Sequence, residues 1–206
     1  MSRGSEKLTE TRKNEIMDAC EKLYAYKGFK EIRLQEIADA TSISRTAMYT
    51  YYQTKEEIFI ALLAKEHHRW NEDLKEILDH HTELSKQELA DLLAKSLEKR
   101  TNLLKLMSMN IYQLEDNSRY ERVVEYKEGL GGSMKCMRAI AEKFCTWMTE
   151  QQIEEFVYAV FPLIFGVYPY SGINDKAKKA MEEAEVGFHY YSIYDLAYRG
   201  ILMLLK

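Results

Sequence analysis

Apolar residues recur at helical spacing along most of the chain, beginning after a polar arm at residues 1–8. The first stripe follows the i, i+3, i+4, i+7, i+8 pattern of an amphipathic helix: Ile16, Ala19, Cys20, Leu23 and Tyr24. Alternating β-branched residues, which would indicate a strand, are rare. Proline, the strongest helix breaker, occurs only at positions 162 and 169. The pattern therefore predicts an all-α protein.

The remaining apolar stripes predict further helices of unequal length. Periodicity and capping residues place them at 33–40, 44–52, 55 to beyond 70, 85–99, 102–114, 118–145, 149–168, 174–185 and 192–206. We expect Thr54 and Ser85 to cap two of these helices. Gly28 follows the first helix, where a left-handed residue is expected. Glycines at 129, 131 and 132 leave open whether the segment 118–145 is broken.

The two short helices at 33–40 and 44–52 predict a helix-turn-helix. They carry too few inward residues to bury a core alone, so they need the first helix and the start of the fourth. Such a three-helix module places a recognition helix in the major groove of DNA. At 100° per residue, Met48 and Tyr52 point inward, whereas the opposite face and its flank are small, hydroxylic, aromatic or basic. Such side chains suit base edges, thymine methyls and phosphates.

Residues 16–63, IMDACEKLYAYKGFKEIRLQEIADATSISRTAMYTYYQTKEEIFIALL, resemble the N-terminal domain of the TetR family of bacterial repressors. The matching features are Lys27-Gly28-Phe29, Ile37-Ala38, Ile43-Ser44, Met48-Tyr49, Tyr51-Tyr52 and Lys55-Glu56. The resemblance implies a set of DNA-facing positions, with the last of them on a phosphate: Gln35, Arg45, Thr46, Ala47, Tyr49, Thr50, Tyr51 and Lys55. It also implies a double-stranded, palindromic operator as the partner.

Two positions depart from the family pattern. Ser42 replaces the usual turn glycine, and a serine there would cost about 1 kcal/mol if the turn requires a positive φ. Arg33 lies near the usual Thr or Ser that caps the second helix, so we expect a weaker cap and an additional phosphate contact. The resemblance nevertheless implies a DNA-binding head at residues 1–55, followed by a helical effector-binding and dimerisation domain at residues 56–206.

The two apolar C-terminal helices predict a homodimer interface, because the family pairs such helices with those of a second subunit. The predicted interface residues are Phe156, Val160, Ile164, Ile193, Leu196, Ala197, Ile201 and Leu204. The alternative is that both helices form the core of one subunit.

The middle helices are where the family holds an effector, and here they carry methionine and aromatic side chains that suit a hydrophobic pocket. The candidate pocket residues are Trp70, Met107, Tyr112, Phe144, Met148 and Tyr158. We expect a small, largely apolar or aromatic effector that releases the protein from DNA. Each of these residues could equally be ordinary core.

Charge and composition narrow the other possibilities. The net charge is −4, but residues 1–56 hold ten Lys and Arg against nine Asp and Glu, so the head is near neutral and the body acidic. Three widely spaced cysteines indicate no disulfide or zinc motif, and the histidine pairs 67–68 and 80–81 suit a solvated face better than a metal. We therefore expect no cofactor and no metal.

The apolar run near 156–168 is too short for a membrane span, and the N-terminus lacks a signal peptide, which predicts a cytoplasmic protein without a membrane partner. No nucleophile or phosphate-loop motif indicates an enzyme. The alternatives to a DNA-binding regulator are a helical ligand- or protein-binding module without DNA affinity, and an enzyme.

Overall fold

The computed structural model describes residues 3–205, with side chains from Lys7 onward. This part of the chain forms eleven α-helices and no strand, in agreement with the predicted all-α class. In order they are α1 (Arg3–Tyr24), α2 (Leu34–Asp39), α3 (Arg45–Met48), α4 (Lys55–His80), α5 (Lys86–Glu98), α6 (Thr101–Met107), α7 (Ile111–Asp116), α8 (Tyr120–Phe144), α9 (Glu150–Ser171), α10 (Asp175–Glu183) and α11 (Ile193–Leu204).

Capping side chains fix several helix starts where the sequence predicts them. The hydroxyls of Thr54 and Ser85 accept hydrogen bonds from the amides of the third residues of α4 and α5, at 3.1 and 3.2 Å. Each bond satisfies an amide that the helix itself leaves without an acceptor. Asn110 caps α7 in the same way, so the predicted helix at 102–114 is in fact two helices.

Two local predictions are wrong, and one question that the sequence left open is decided. Residues from Arg3 onward are helical, so no polar arm extends to residue 8, and Met1 and Ser2 lie outside the described residues. Gly28 does not have a positive φ; its amide donates to the Glu31 carboxylate at 2.6 Å. The helix α8 continues through Gly129, Gly131 and Gly132 without a break.

The chain divides into two compact units. The first comprises the residues up to Lys65 together with Asn110–Gly129. Its core holds α1, α2, α3 and the start of α4, and the ring of Phe59 makes edge-on contacts with Tyr24 and Phe29 at centroid distances of 5.1 and 4.8 Å. The second segment, 110–129, was not part of the head that the sequence predicted at residues 1–55.

The second unit comprises Glu66–Met109 and Leu130–Lys206. In it α11 packs against α5 and α9, and α9 also packs against α6. Gly200 of α11 lies so close to Leu163 of α9 that a Cβ there would be 2.7 Å from the leucine methyls. Trp70 is fully buried, donates to the Ser96 hydroxyl at 3.0 Å and contacts the ring of Phe161 edge-on.

Within residues 3–205, no helix alone has the length and mean hydropathy of a membrane-spanning segment. Only α9 and α10 taken together reach these criteria, and they are bent by 87° relative to each other.

Candidate nucleic-acid interface

The helix-turn-helix forms as predicted, with a shorter second helix. Ser44 caps α3 by accepting from the Ala47 amide at 3.2 Å, and α3 proper ends at Met48. The chain then continues in a tighter turn, in which the Tyr51 and Tyr52 amides donate to the Met48 carbonyl at 2.9 and 3.0 Å. The predicted helix at 44–52 is therefore one helical turn extended by this tighter turn.

The two faces of this segment are as the periodicity predicts. Met48 and Tyr52 are buried, with 2% and 1% of their surfaces exposed. The side chains on the opposite face and flank are exposed: Arg45, Thr46, Ala47, Tyr49 and Thr50. Tyr51 is half-buried. The head therefore presents a small surface of mixed basic, hydroxylic and aromatic character.

The turn between the two helices is held by α1. Arg12 donates to the Ser42 hydroxyl, and the Ser42 amide donates to the Glu15 carboxylate at 2.6 Å. Hydrogen bonds to Glu15 from the Ser42 amide first, then from the Ser42 hydroxyl and from Arg12, hold the pKa of Glu15 below its ordinary value. Ser42 does not have a positive φ, so the strain that a serine could have caused here is absent. Sequence reasoning did not find Arg12 and Glu15 because they are about 30 residues from the turn.

Two exposed arginines lie in the helix-turn-helix. Arg33 precedes α2 and makes no side-chain cap hydrogen bond, and its amide donates to the Glu36 carboxylate at 2.9 Å. Arg45 is the first residue of α3. Both side chains are exposed, and among residues 7–205 neither has a carboxylate at ion-pair distance. Both guanidinium groups are therefore available to phosphates or bases.

Two predicted DNA-facing residues are engaged within the protein. Gln35 is exposed, but its amide donates to the Asp39 carboxylate at 2.7 Å. The Lys55 ammonium donates to the carbonyls of Phe29 and Ile32 at 2.7 and 2.9 Å and lies 4.1 Å above the Phe29 ring. Burial of this ammonium lowers the pKa of Lys55. In the described structure, Lys55 joins α4 to the loop after α1.

The comparisons with known proteins match this architecture. The family profile "Bacterial regulatory proteins, tetR family" matches residues 16–62, and the profile "Tetracyclin repressor-like, C-terminal domain" matches residues 64–205. The chain belongs to the TetR family. It is accordingly a DNA-binding transcriptional regulator, as the sequence predicts. No curated protein matches the chain significantly.

Solved structures of other TetR-family regulators share the fold. The fatty acid degradation regulator FadR from Bacillus halodurans has a TM-score of 0.60 at 16% identity, over 95% of each chain. FadR from Bacillus subtilis, in complex with stearoyl-CoA, has a TM-score of 0.58 at 18% identity, over 93% of this chain and 97% of its own. FadR from Thermus thermophilus, in complex with lauroyl-CoA, has a TM-score of 0.55 at 16% identity, over 94% of this chain and 93% of its own. At these identities the likeness establishes the fold alone.

The candidate effector residues of this TetR-family chain do not come together. Trp70, Met107 and Phe144 are buried in the core of the second unit. Met148 is half-buried. Tyr112 belongs to the first unit and is 80% exposed. Of the predicted set, Tyr158 lines an apolar groove between α8 and α9, and the effector role of the others stays a prediction.

That groove has a volume of about 230 Å³. Its walls are Leu130, Met134, Val157, Tyr158, Phe161, Pro162 and Phe165. Sequence periodicity could not find it, because it depends on which sides of α8 and α9 face each other.

Most of the residues predicted for the dimer interface do not lie on the surface of the subunit, and the interface itself stays a prediction. Phe156, Val160, Ile164, Ala197 and Ile201 are buried inside one subunit, where α9 and α11 pack on each other and on α5 and α6. A buried side chain cannot contact a second subunit without unfolding this core. Three positions retain partial exposure: Ile193, Leu196 and Leu204. The alternative of a single-subunit core describes these two helices better.

Proposed function

We propose that this TetR-family chain is a repressor that binds a palindromic operator as a homodimer and is released by a small, largely apolar effector. The exposed face of α3 is the observation that supports this proposal. On it, Arg45 lies among hydroxylic and aromatic side chains, and it has no carboxylate partner in residues 7–205. We place this activity in the cytoplasm and propose no catalytic step.

The small recognition surface of the head favours a dimer, because one short recognition helix reads few base pairs. Two-fold dimers place their recognition helices about 34–36 Å apart, one turn of DNA, and so bind symmetric half-sites. Exposed apolar side chains on α9 and α11 are candidates for the interface in place of the buried ones: Tyr158 is 62% and Met203 66% exposed. Light scattering at micromolar concentration tests this, and a monomer mass would refute the dimer.

An acyl chain is the effector chemistry that we propose. The groove between α8 and α9 is lined by apolar side chains and one tyrosine. Of the similar structures, one is of a fatty acid degradation regulator, and two are of FadR regulators in complex with stearoyl-CoA and lauroyl-CoA. Ligand pockets usually have volumes of about 300–1,000 Å³, so a groove of about 230 Å³ would hold part of such a chain.

A DNA-binding assay tests both parts. The probe is duplex DNA from upstream of the chain's own gene, titrated at 50 and 200 mM salt. We expect specific binding that weakens steeply with salt, because each neutralised phosphate releases counterions. Salt-insensitive or absent binding would favour a module without DNA affinity.

The effector arm adds stearoyl-CoA or lauroyl-CoA to the preformed complex, with CoA alone as the control. We expect the acyl thioesters to release DNA and CoA to have no effect. Equal release by CoA alone would contradict an acyl effector. DNA binding that no acyl thioester alters would refute the effector while leaving the operator proposal intact.

A further inference from the structure

Arg119 reaches the end of the recognition helix from a distant part of the chain. Its Nε donates to Glu57 Oε1 at 2.7 Å and its Nη2 to Glu57 Oε2 at 2.8 Å, so the guanidinium and the carboxylate form a two-point pair. Nη2 also donates to the carbonyl of Tyr51 at 3.0 Å. One side chain thus contacts both α4 and the turn that follows α3.

Glu57 is the acceptor at the centre of this arrangement. It is 1% exposed, and it also accepts from the amides of Gln53 and Arg119, at 2.8 and 3.0 Å. Burial alone would raise the pKa of Glu57, but the hydrogen bonds from Arg119 and from these amides lower it below its ordinary value. The carboxylate therefore stays charged and holds the backbone between α3 and α4.

Two neighbouring contacts reinforce the same junction. The Thr54 hydroxyl donates to the Asn117 carbonyl at 2.8 Å. The guanidinium of Arg122 lies 5.4 Å from the centre of the Tyr52 ring, the buried side chain that anchors the end of the recognition segment. The segment 117–122 thus contacts three consecutive features of the head: the Tyr51–Tyr52 turn, the Thr54 cap and the first turn of α4.

We infer that Arg119 is a positioning residue for DNA recognition: it fixes the C-terminal end of the recognition helix without touching DNA. This rests on the proposed operator binding by the exposed face of α3. The role requires the planar fork of arginine, because a lysine ammonium is a single point of charge that cannot span two carboxylate oxygens and a carbonyl at once.

Two substitutions separate positioning from stability. Arg119→Met removes the fork, whereas Arg119→Lys keeps the charge beside Glu57 and loses the bridge to Tyr51. The matched control is Lys127→Met in α8. It removes the surface ion pair in which Lys127 Nζ lies 2.6 Å from Glu115 Oε1 of α7. Each variant is measured as the full chain for operator affinity, for hydrogen exchange of the peptides covering 45–54 and 86–98, and for the urea midpoint.

We expect Arg119→Met to weaken operator affinity by about tenfold, the equivalent of one hydrogen bond to a charged group. Exchange should accelerate at 49–54 and stay unchanged in α5, at 86–98. Arg119→Lys should keep the urea midpoint of the wild type and still lose several-fold in affinity and protection at 49–54. Lys127→Met should match the wild type in every readout.

The inference is overturned if Arg119→Lys binds the operator as the wild type does with unchanged exchange at 49–54. It is also overturned if exchange rises equally in both peptides, since that indicates global destabilisation. If the wild type binds no DNA, the proposed function fails instead. Hydrogen exchange then still tests the inference, because unchanged exchange at 49–54 in Arg119→Lys would show that Arg119 does not position these residues.

Discussion

The Nδ1 atom of His67 lies 2.9 Å from the Ser133 hydroxyl, inside the second unit where α4 and α8 meet. The Ser133 hydroxyl also donates to the side-chain oxygen of Asn71 at 2.6 Å. His67 is fully buried, which corrects the prediction that residues 67–68 form a solvated face; only His68 is exposed. Burial lowers the pKa of His67 to about 3, with a smaller contribution from His68.

This neutral histidine predicts a pH-dependent stability. In the unfolded chain its pKa returns to about 6.5. The unfolded state therefore takes up the proton first, and stability is lost as the pH falls below about 6.5, by up to about 1.4 kcal/mol per pH unit. Urea unfolding of wild type and His67→Gln between pH 5 and 7 measures this slope. We expect the variant to lose it and His68→Gln to keep it; equal slopes in all three would contradict the buried neutral state.

Two neighbouring glycines of α8 should respond in opposite ways to alanine. A Cβ at Gly132 would lie 2.5 Å from Asn71 Nδ2, whereas a Cβ at Gly131 meets nothing within 4 Å. Gly131→Ala should stabilise the chain by about 0.5–1 kcal/mol through helix propensity. Gly132→Ala displaces the buried Asn71 amide and should destabilise by about 1–3 kcal/mol. Thermal unfolding compares them, and stabilisation by both would show that α4 and α8 do not approach this closely.

At position 42, in the turn of the helix-turn-helix, we expect serine to give a more stable protein than glycine. Its φ is not positive, so Ser42→Gly gains no relief from strain, loses the hydroxyl that accepts from Arg12, and adds freedom to the unfolded chain. We expect a loss of about 0.5–1 kcal/mol in the free energy of unfolding. The reciprocal control is Gly187→Ser, which forces a serine to a φ of +65°. A gain in stability from Ser42→Gly would indicate a left-handed turn.

Lys55 should matter more to folding than to DNA affinity. Its ammonium donates to two carbonyls of the loop after α1. Lys55→Met should therefore lower the free energy of unfolding by about 1–3 kcal/mol. The slope of log affinity against log salt should stay unchanged, whereas a phosphate clamp would reduce it by about one. Unchanged stability with a reduced slope would restore the role that the family resemblance implies.

Local features of this fold could be predicted because neighbouring residues determine them. Thr54 and Ser85 cap helices through amides three residues away, and the inward positions of Met48 and Tyr52 follow from helical periodicity. The resemblance over residues 16–63 identified the family. Each of these depends on short spacings that the sequence displays directly.

Longer-range relationships could not be predicted in the same way. Arg119 pairs with Glu57 across 62 residues, and Asn71 approaches Gly132 because two helices happen to meet there. A stripe of apolar residues shows that a helix buries one face but not what covers it. For that reason α9 and α11 were predicted as a dimer interface, although Val160 and Ile201 are core of one subunit.

The central claim is that the exposed face of α3 reads DNA, and a paired titration tests it most directly. Fluorescence anisotropy compares the wild type with Arg45→Ala and Tyr49→Ala on duplex DNA selected by the wild type from a random pool. The matched control is Tyr112→Ala, a more exposed tyrosine in the first unit but outside α3.

We predict that Arg45→Ala and Tyr49→Ala each weaken binding by about 1–3 kcal/mol and relax the sequence preference, with urea midpoints unchanged. Tyr112→Ala should bind as the wild type does. If Arg45→Ala and Tyr49→Ala bind the selected DNA with wild-type affinity and preference, the recognition surface lies elsewhere and the account is contradicted.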